Sequence, residues 1–319
     1  MSLPFLQSYL GLSNSLQTAQ GGAGSTGATR GVWAGGASGA GSVNTNVMDY
    51  VTIATTGNAT DFGDLSVTRY STFACANTTR GVWAGGHTGS HSNVIDYVTI
   101  ATTGNATDFG DLTLARYGPG ACASATRGLF GGGHSGAASN VIDYITIATT
   151  GNAIDFGDLT VSRIYAGGCA SATRGVFGGG YISNLNYSNV IDYVTIATTG
   201  NATDFGDLTL IKFGAAAFAN TTRGVFAGGA TGVVSNINTN NIDYVTIATT
   251  GNATDFGDLT VARVECGGCA SATRGLTGGG WTGANSNVID YVTIETTGNA
   301  TDFGDLTLDR QAVGACAGS

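Results

Sequence analysis

The chain carries little charge, few prolines and no long apolar run. Only 10% of its 319 residues are charged, it has 2 prolines, and its formal net charge is −9. This acidic balance argues against nucleic acid or an anionic membrane as a partner. Because no run approaches about 18 apolar residues, no membrane span is expected. Residues 1–20 lack the basic start and apolar core of a signal peptide, which predicts synthesis in the cytoplasm.

One stretch, DYVTIATTGNATDFGDLT, organises the sequence. It occurs unchanged at 96–113, 192–209 and 243–260, with near-copies at 49–66, 143–160 and 290–307. The copies recur at a period of 47 to 51 residues. Six copies of one supersecondary unit at this period indicate either a closed ring or a solenoid.

Each repeat predicts four short antiparallel strands, which we call a, b, c and d. In the third repeat they fall at 118–124, 128–133, 141–149 and 153–159, with Gly151-Asn152 as a two-residue hairpin turn between c and d. Four strands repeated six times describe a six-bladed β-propeller, an all-β fold, over residues 21–319. Residues 310–319 restart the repeat and are expected to supply strand a of the first blade and close the ring, although 20–27 also fit that strand loosely.

The charged residues occupy equivalent positions. Three aspartates recur in every repeat, and the twelve basic residues form two sets of six. Charges placed this regularly are expected to serve the blade's own hydrogen bonding. The first set is Arg30, Arg80, Arg127, Arg174, Arg223 and Arg274; the second is Arg69, Arg116, Arg163, Lys212, Arg263 and Arg310.

Neither the cysteines nor the repeated acids predict a metal site. Five of the six cysteines share one position on strand a, where a small buried side chain is expected rather than a disulfide. Cys266 and Cys269 form a lone C-x-x-C pair, which is a weak metal or redox signal. Asn58, Asp61 and Asp64 recur in each copy, but neighbouring strand residues point in different directions and do not converge on one calcium ion. No cofactor and no catalytic constellation are predicted.

The repeat resembles the kelch repeat. In the third copy Arg116, GACAS, GLFGGG, IDY and DFGDL follow in the order of a kelch unit, over a period close to the ~50 residues of that family. Phe109 and its equivalents replace the usual tryptophan, and the usual Asp-Pro is missing, so the repeat is kelch-like. The near-identical copies also resemble repeat proteins of bacteriophage virions. These resemblances imply a propeller fold and a place in a virion.

The repeats differ mainly on one side of the predicted ring. The a–b and c–d turns share the constant face, whereas the b–c loops and d–a connections share the variable face. Aromatic and histidine side chains in these loops predict a binding surface. The b–c loops are 37–46, 87–93, 134–140, 181–189, 230–240 and 281–287, and the candidate binding residues in them are Trp281, Tyr181, Tyr187, His87, His91 and His134.

The sequence therefore predicts a non-enzymatic binding and assembly protein of a phage virion, as a tail-fibre, tail-tip or decoration component. The variable face would meet a host glycan or protein, and residues 1–20 would dock the chain to other virion subunits. A cap on the ring or a frayed end is the other interpretation of that extension. The alternative function is a purely structural propeller whose loops pack on neighbouring capsid or fibre subunits.

Overall fold

All regular structure that we describe is β-strand. The computed structural model describes residues 20–21, 28–39, 43–183, 186–232 and 237–319. The predicted extension 1–20 lies outside them except for Gln20, as do parts of three b–c loops. The all-β class and the four-stranded antiparallel sheets are confirmed, and their arrangement is propeller-like.

Six sheets each contain four antiparallel strands in the order a, b, c, d. The strands are Gly314–Gly318, Arg30–Ala34, Val47–Thr52 and Thr60–Asp64 (sheet 1); Phe73–Ala76, Arg80–Ala84, Val94–Thr99 and Thr107–Asp111 (sheet 2); Gly120–Ser124, Arg127–Gly131, Val141–Thr146 and Ile154–Asp158 (sheet 3); Gly167–Ala170, Arg174–Gly178, Val190–Thr195 and Thr203–Asp207 (sheet 4); Ala216–Ala219, Arg223–Ala227, Asn241–Thr246 and Thr254–Asp258 (sheet 5); Gly267–Ala270, Arg274–Gly278, Val288–Thr293 and Thr301–Asp305 (sheet 6). Sheet 3 has a fifth strand, Gln20–Gly21, which pairs with its strand a. Short strands in the connections are Ala37–Ser38, Val43–Asn44, Tyr181–Ser183, Asn186–Tyr187, Ala230–Thr231, Ile237–Asn238 and Arg310–Gln311.

Sheet 1 is assembled from both ends of the described chain. Its strand a comes from the C-terminus, where Cys316 lies opposite Val32 and Ala315 lies opposite Trp33. The N-terminal candidate takes another place, because Gln20 pairs with Ser124 of sheet 3. The C-terminal segment is thus the one that completes the first sheet.

The strands a line a narrow space, which we call the axial space. Each strand a contacts the strands a of both neighbouring sheets. Small residues from all six sheets line the space, which has a volume of about 30 Å³. That is room for one or two water molecules. The sheets approach closely because strand a carries glycine at points such as Gly168, where a Cβ would lie 2.4 Å from the carbonyl oxygen of Ala121.

Neighbouring sheets pack by placing a cysteine of one sheet against a glycine of the next. A Cβ at Gly128, on strand b of sheet 3, would lie 2.6 Å from Cys75 Sγ on strand a of sheet 2. This contact explains why glycine follows the first arginine in every repeat. All six cysteines are buried and free. For the five on strand a, the sequence predicts such small core side chains. The equivalent contacts are Cys316–Gly81, Cys122–Gly175, Cys169–Gly224, Phe218–Gly275 and Cys269–Gly31.

The contact between sheets 5 and 6 departs from this pattern. Phe218 stands in place of the cysteine, and Thr277 stands where the other sheets have tryptophan or phenylalanine on strand b. Both side chains line one small cavity beside Gly275. The larger residue on one sheet is therefore matched by a smaller one on the other, which preserves the volume of the core.

Each sheet also holds one fully buried ion pair. In sheet 3, Arg116 Nη2 lies 2.9 Å from Asp143 on strand c and donates to the carbonyl oxygen of Phe130. Thr113, just after strand d of the preceding sheet, donates its hydroxyl to the same aspartate. In sheet 5, Lys212 replaces the arginine and donates to the side chain of Asn241 as well. The six pairs are Arg69–Asp96, Arg116–Asp143, Arg163–Asp192, Lys212–Asp243, Arg263–Asp290 and Arg310–Asp49.

The other six arginines join neighbouring sheets on the constant face. Arg127 lies over the ring of Tyr144, 4.6 Å from its centroid, and donates to the carbonyl oxygen of Ile196 in the next sheet. This places a cation–π contact and an inter-sheet hydrogen bond at one position. The same stacking on a tyrosine recurs at Arg30, Arg80, Arg174, Arg223 and Arg274.

The predicted two-residue turn at Gly151-Asn152 is wrong. Strand c ends at Thr146 and strand d begins at Ile154, so seven residues connect them. Gly151 N donates to Phe109 O in sheet 2, and Asn152 Oδ1 accepts from Asp111 N. The Gly-Asn pair is directed at the neighbouring sheet rather than at its own hairpin.

Candidate functional site

The variable face is built from paired positions in the b–c loops and the d–a connections. The first loop residue of each sheet forms an antiparallel bridge with the residue that follows the buried arginine or lysine. Trp281, predicted as a binding residue, occupies the same position as the predicted His87, His134 and Tyr181. The bridges are Tyr70–His87, Tyr117–His134, Ile164–Tyr181, Phe213–Ala230, Val264–Trp281 and Gln311–Ala37.

A ring of backbone hydrogen bonds surrounds the axis on this face. One residue in each d–a connection has a positive φ, donates its N–H to the equivalent residue of the preceding sheet and accepts from that of the following sheet. Two of the six are glycine, and four of them (Tyr165, Gly214, Glu265 and Ala312) line one small depression. The six positions are Ser71, Gly118, Tyr165, Gly214, Glu265 and Ala312.

The three histidines lie together with two tyrosines. Tyr117 and His134 stack with centroids 5.0 Å apart, and Tyr70 lies 5.2 Å from His87. His91 Nε2 is 3.2 Å from His134 Nδ1, so one ring donates to the other. The loops of sheets 2 and 3 are thereby held against each other, and all five rings are half-buried.

A second aromatic group adjoins the first. Tyr187 stacks on Phe213 with centroids 5.0 Å apart, and Tyr181 packs against both. Tyr165 connects the two groups through contacts with Tyr117 and Phe213. Only 7% of Tyr187 is exposed, so this residue supports its neighbours and is not the exposed anchor that the sequence suggests. We call the two groups together the aromatic cluster; it consists of Tyr70, His87, His91, Tyr117, His134, Tyr165, Tyr181, Tyr187 and Phe213.

Trp281 lies apart from the aromatic cluster. It is 37% exposed, and its carbonyl oxygen accepts from Asn238 Nδ2 of the adjacent loop. The cluster therefore covers sheets 2 to 5, whereas sheet 6 presents an isolated tryptophan on the same face. The aromatic side chains are therefore distributed asymmetrically over the variable face.

Burial changes the titration of several groups on this face. It lowers the pKa of His134, and the nearby His91 lowers that pKa further. Burial raises the pKa of Tyr165, and the charge of Glu265 adds to the shift. The pKa of Glu265 is itself raised by burial, to about 7.

Sequence reasoning missed the residues of the d–a connections. Tyr70, Tyr117, Tyr165 and Phe213 all belong to the cluster, yet they lie outside the b–c loops. Their signal was available, because these connections vary between repeats as the loops do. Glu265 had a signal too, since it is an acid outside the repeated pattern.

We found no metal centre in the described part of the chain. No group of three His, Cys, Asp or Glu side chains there has a metal-binding arrangement, and this includes the three histidines. Within the described ranges, no helix is long and apolar enough to cross a membrane.

Comparison with known proteins gives no family for the chain. No protein-family model matches it, and no curated protein matches it either. The kelch-like and virion-protein resemblances thus stay predictions.

Proposed function

We propose that the chain is a closed six-bladed propeller that binds a ligand on its variable face and catalyses no reaction. Closure is supported by the C-terminal strand of sheet 1 and by contacts between sheets 6 and 1. Gly57 N donates to Phe303 O, and Asn58 Oδ1 accepts from Asp305 N, at 2.8 and 3.1 Å. The same pair of contacts joins sheets 2 and 3. The strand-c aspartates are engaged in buried ion pairs, which leaves them unsuited to acid–base work.

The ligand that we propose is a host glycan. The observation that carries this proposal is the aromatic cluster, in which half-buried rings are held by one another, by the buried Tyr187 and Phe213, and by the backbone bridges between loops and connections. Fixed aromatic planes can stack on the apolar faces of sugar rings at low cost in side-chain entropy, while tyrosine hydroxyls and imidazole nitrogens offer hydrogen bonds to sugar hydroxyls. A protein epitope would use the same rings, and the experiment below separates the two.

A place in a phage virion is proposed from the resemblance of the repeats to virion proteins. Gln20 lies beside Ser124, at the constant-face end of strand a. Residues 1–19 join the described chain at that end, opposite the proposed binding face. This position suits a docking extension that mounts the propeller with its variable face outward.

The alternative is a structural module. It is favoured by the constant face, where the exposed Thr-Thr-Gly-Asn turn recurs in every repeat. Six like turns around an axis suit packing on a symmetric neighbour. Under this alternative the loops of the variable face would also be covered by subunits.

A glycan array with matched variants tests the proposal. We expect the wild-type protein to bind a defined set of glycans, and Tyr117→Ala or His134→Ala to weaken binding about tenfold or more, as for a hot-spot residue. Thr56→Ala, on the constant face, is the control and should bind like wild type. Binding that is unchanged in both cluster variants would overturn the proposal. Binding to host protein but to no glycan would assign the face to a protein epitope.

A further inference from the structure

Glu265 lies outside the repeated pattern of aspartates. Each strand-c aspartate has an arginine or lysine partner, and the exposed Glu295 accepts from Asn220 and Thr222. Within the described residues we find no ion pair or hydrogen bond to the Glu265 carboxylate, and burial alone raises its pKa. An unpartnered, partly buried carboxylate is costly to keep and indicates a site for a ligand.

The backbone of Glu265 belongs to the ring of hydrogen bonds that joins the six d–a connections. Glu265 has a φ of 59° in the hydrogen-bonded ring, where the preceding sheet has Gly214 with a φ of 65°. Its N–H donates to Gly214 O at 2.7 Å, and Ala312 N donates to its carbonyl oxygen at 2.8 Å. The main chain is thus held on both sides, which fixes the point from which the side chain projects.

Glu265 lines a small depression whose other lining residues are mainly apolar and aromatic. Phe73, Tyr165, Cys266 and Val313 line it together with Glu265, and the depression has a volume of about 10 Å³. That volume accommodates one water-sized group. A primary ammonium group is of this size, whereas a quaternary ammonium is several times larger.

The groups that face Glu265 favour a cation. Three titratable side chains interact electrostatically with Glu265. They are Tyr70, Tyr117 and Tyr165, and all three are neutral at physiological pH. Cys266 in the depression is also neutral, because burial raises its pKa. A cation there would gain a carboxylate partner and aromatic rings that attract positive charge. One carboxylate is too few oxygen ligands for calcium.

We propose that Glu265 binds the primary ammonium group of an amino sugar, with the sugar ring resting on the aromatic cluster. This inference depends on the proposed glycan-binding function of the variable face. It adds the class of sugar and the residue that recognises it. Tyr165, whose hydroxyl is 3.0 Å from Ser71 Oγ, forms the aromatic wall beside the ammonium.

Calorimetric titration with two probes tests the inference. The probes are a glucosamine trimer and the corresponding N-acetylglucosamine trimer, which has no ammonium. We expect the wild-type protein to bind the glucosamine trimer about tenfold more tightly or better, which is the effect of a hydrogen bond to a charged group. Glu265→Gln should remove this preference and leave affinity for the N-acetylated trimer within about twofold. Glu295→Gln, which removes one carboxylate on the constant face, should keep it.

A second measurement does not depend on a variant. In a carbon-13 NMR titration of the wild-type protein, the glucosamine trimer should lower the pKa of Glu265 and the N-acetylated trimer should not. Equal binding of both trimers would overturn the inference and leave glycan recognition standing. Failure of both trimers in a protein that binds other glycans on the array would also overturn it. A pKa of Glu265 that does not change with the glucosamine trimer would contradict it directly.

Discussion

Replacing Glu265 by glutamine should stabilise the ligand-free protein at high pH. Burial raises the pKa of this carboxyl from 4.5 to about 7. Between these two values the native state holds a proton that the unfolded state has released, so the free energy of unfolding falls as the pH rises. Below pH 4.5 both states are protonated and there is no penalty, and above pH 7 the penalty is complete.

The size of the effect follows from the shift. Each pKa unit corresponds to about 1.4 kcal/mol, so the shift gives an upper limit of about 3 kcal/mol. Glu265 is partly exposed, and solvent reduces this value, which leaves about 2 kcal/mol for the gain in Glu265→Gln above pH 7. The gain should vanish below pH 4.5.

Urea unfolding followed by tryptophan fluorescence measures this difference, because Trp33 and Trp83 are fully buried. Glu295→Gln is the control with the opposite sign. Hydrogen bonds from Thr222 and Asn220 lower the pKa of Glu295, so its removal should cost stability at neutral pH. If Glu265→Gln proved neutral or destabilising above pH 7, the carboxylate would have a native partner and the argument for a ligand would be refuted.

Three further predictions concern the packing of the sheets and the histidines. Asp143→Ala leaves Arg116 buried without its partner and should lower the free energy of unfolding, measured by urea denaturation, by about 3–5 kcal/mol. A loss below about 1 kcal/mol would mean that the ion pair is solvated. Gly128→Ala places a Cβ 2.6 Å from Cys75 Sγ and should lower the free energy of unfolding by about 1–3 kcal/mol. In a Cys75→Ala background the same change should cost less, because the sulfur is the obstacle, and strictly additive losses would contradict this. In an NMR titration, His134 should show a pKa below the usual 6.5. The unfolded state then takes up the proton first, so acidification through 6.5 should destabilise the wild-type protein more than His134→Asn. A pKa of His134 that is not lowered would argue against the contact with His91.

Much of the fold could be predicted because the same pattern of strands recurs in six copies of the repeat. The period, the four strands and the C-terminal origin of strand a in sheet 1 all follow from the pattern, and the pairing of Val32 with Cys316 agrees with it. The actual conformation of Gly151-Asn152 could not be predicted, because Gly-Asn between two strands is a strong local signal for a two-residue hairpin turn. The tertiary contact of Gly151 N with Phe109 O decides its conformation here.

The differences between repeats were harder to interpret than their identity. Phe218 and Thr277 lie far apart in sequence, but they meet in the structure, where the larger side chain is matched by the smaller one. Lys212 and Asn241 are likewise distant in sequence and form a hydrogen bond. A single sequence does not show which distant changes offset one another. For the same reason the loop histidines were found as candidates, while Tyr117, which brings His91 and His134 together, was missed.

Hydrogen–deuterium exchange with and without a bound glycan from the array tests most directly which face recognises the ligand. We predict that exchange slows in the loops 87–93 and 134–140 and in the connections around Tyr117 and Tyr165. It should remain unchanged in the constant-face turns 54–58, 101–105 and 148–152. Protection confined to those turns would contradict the assignment of the variable face as the binding surface.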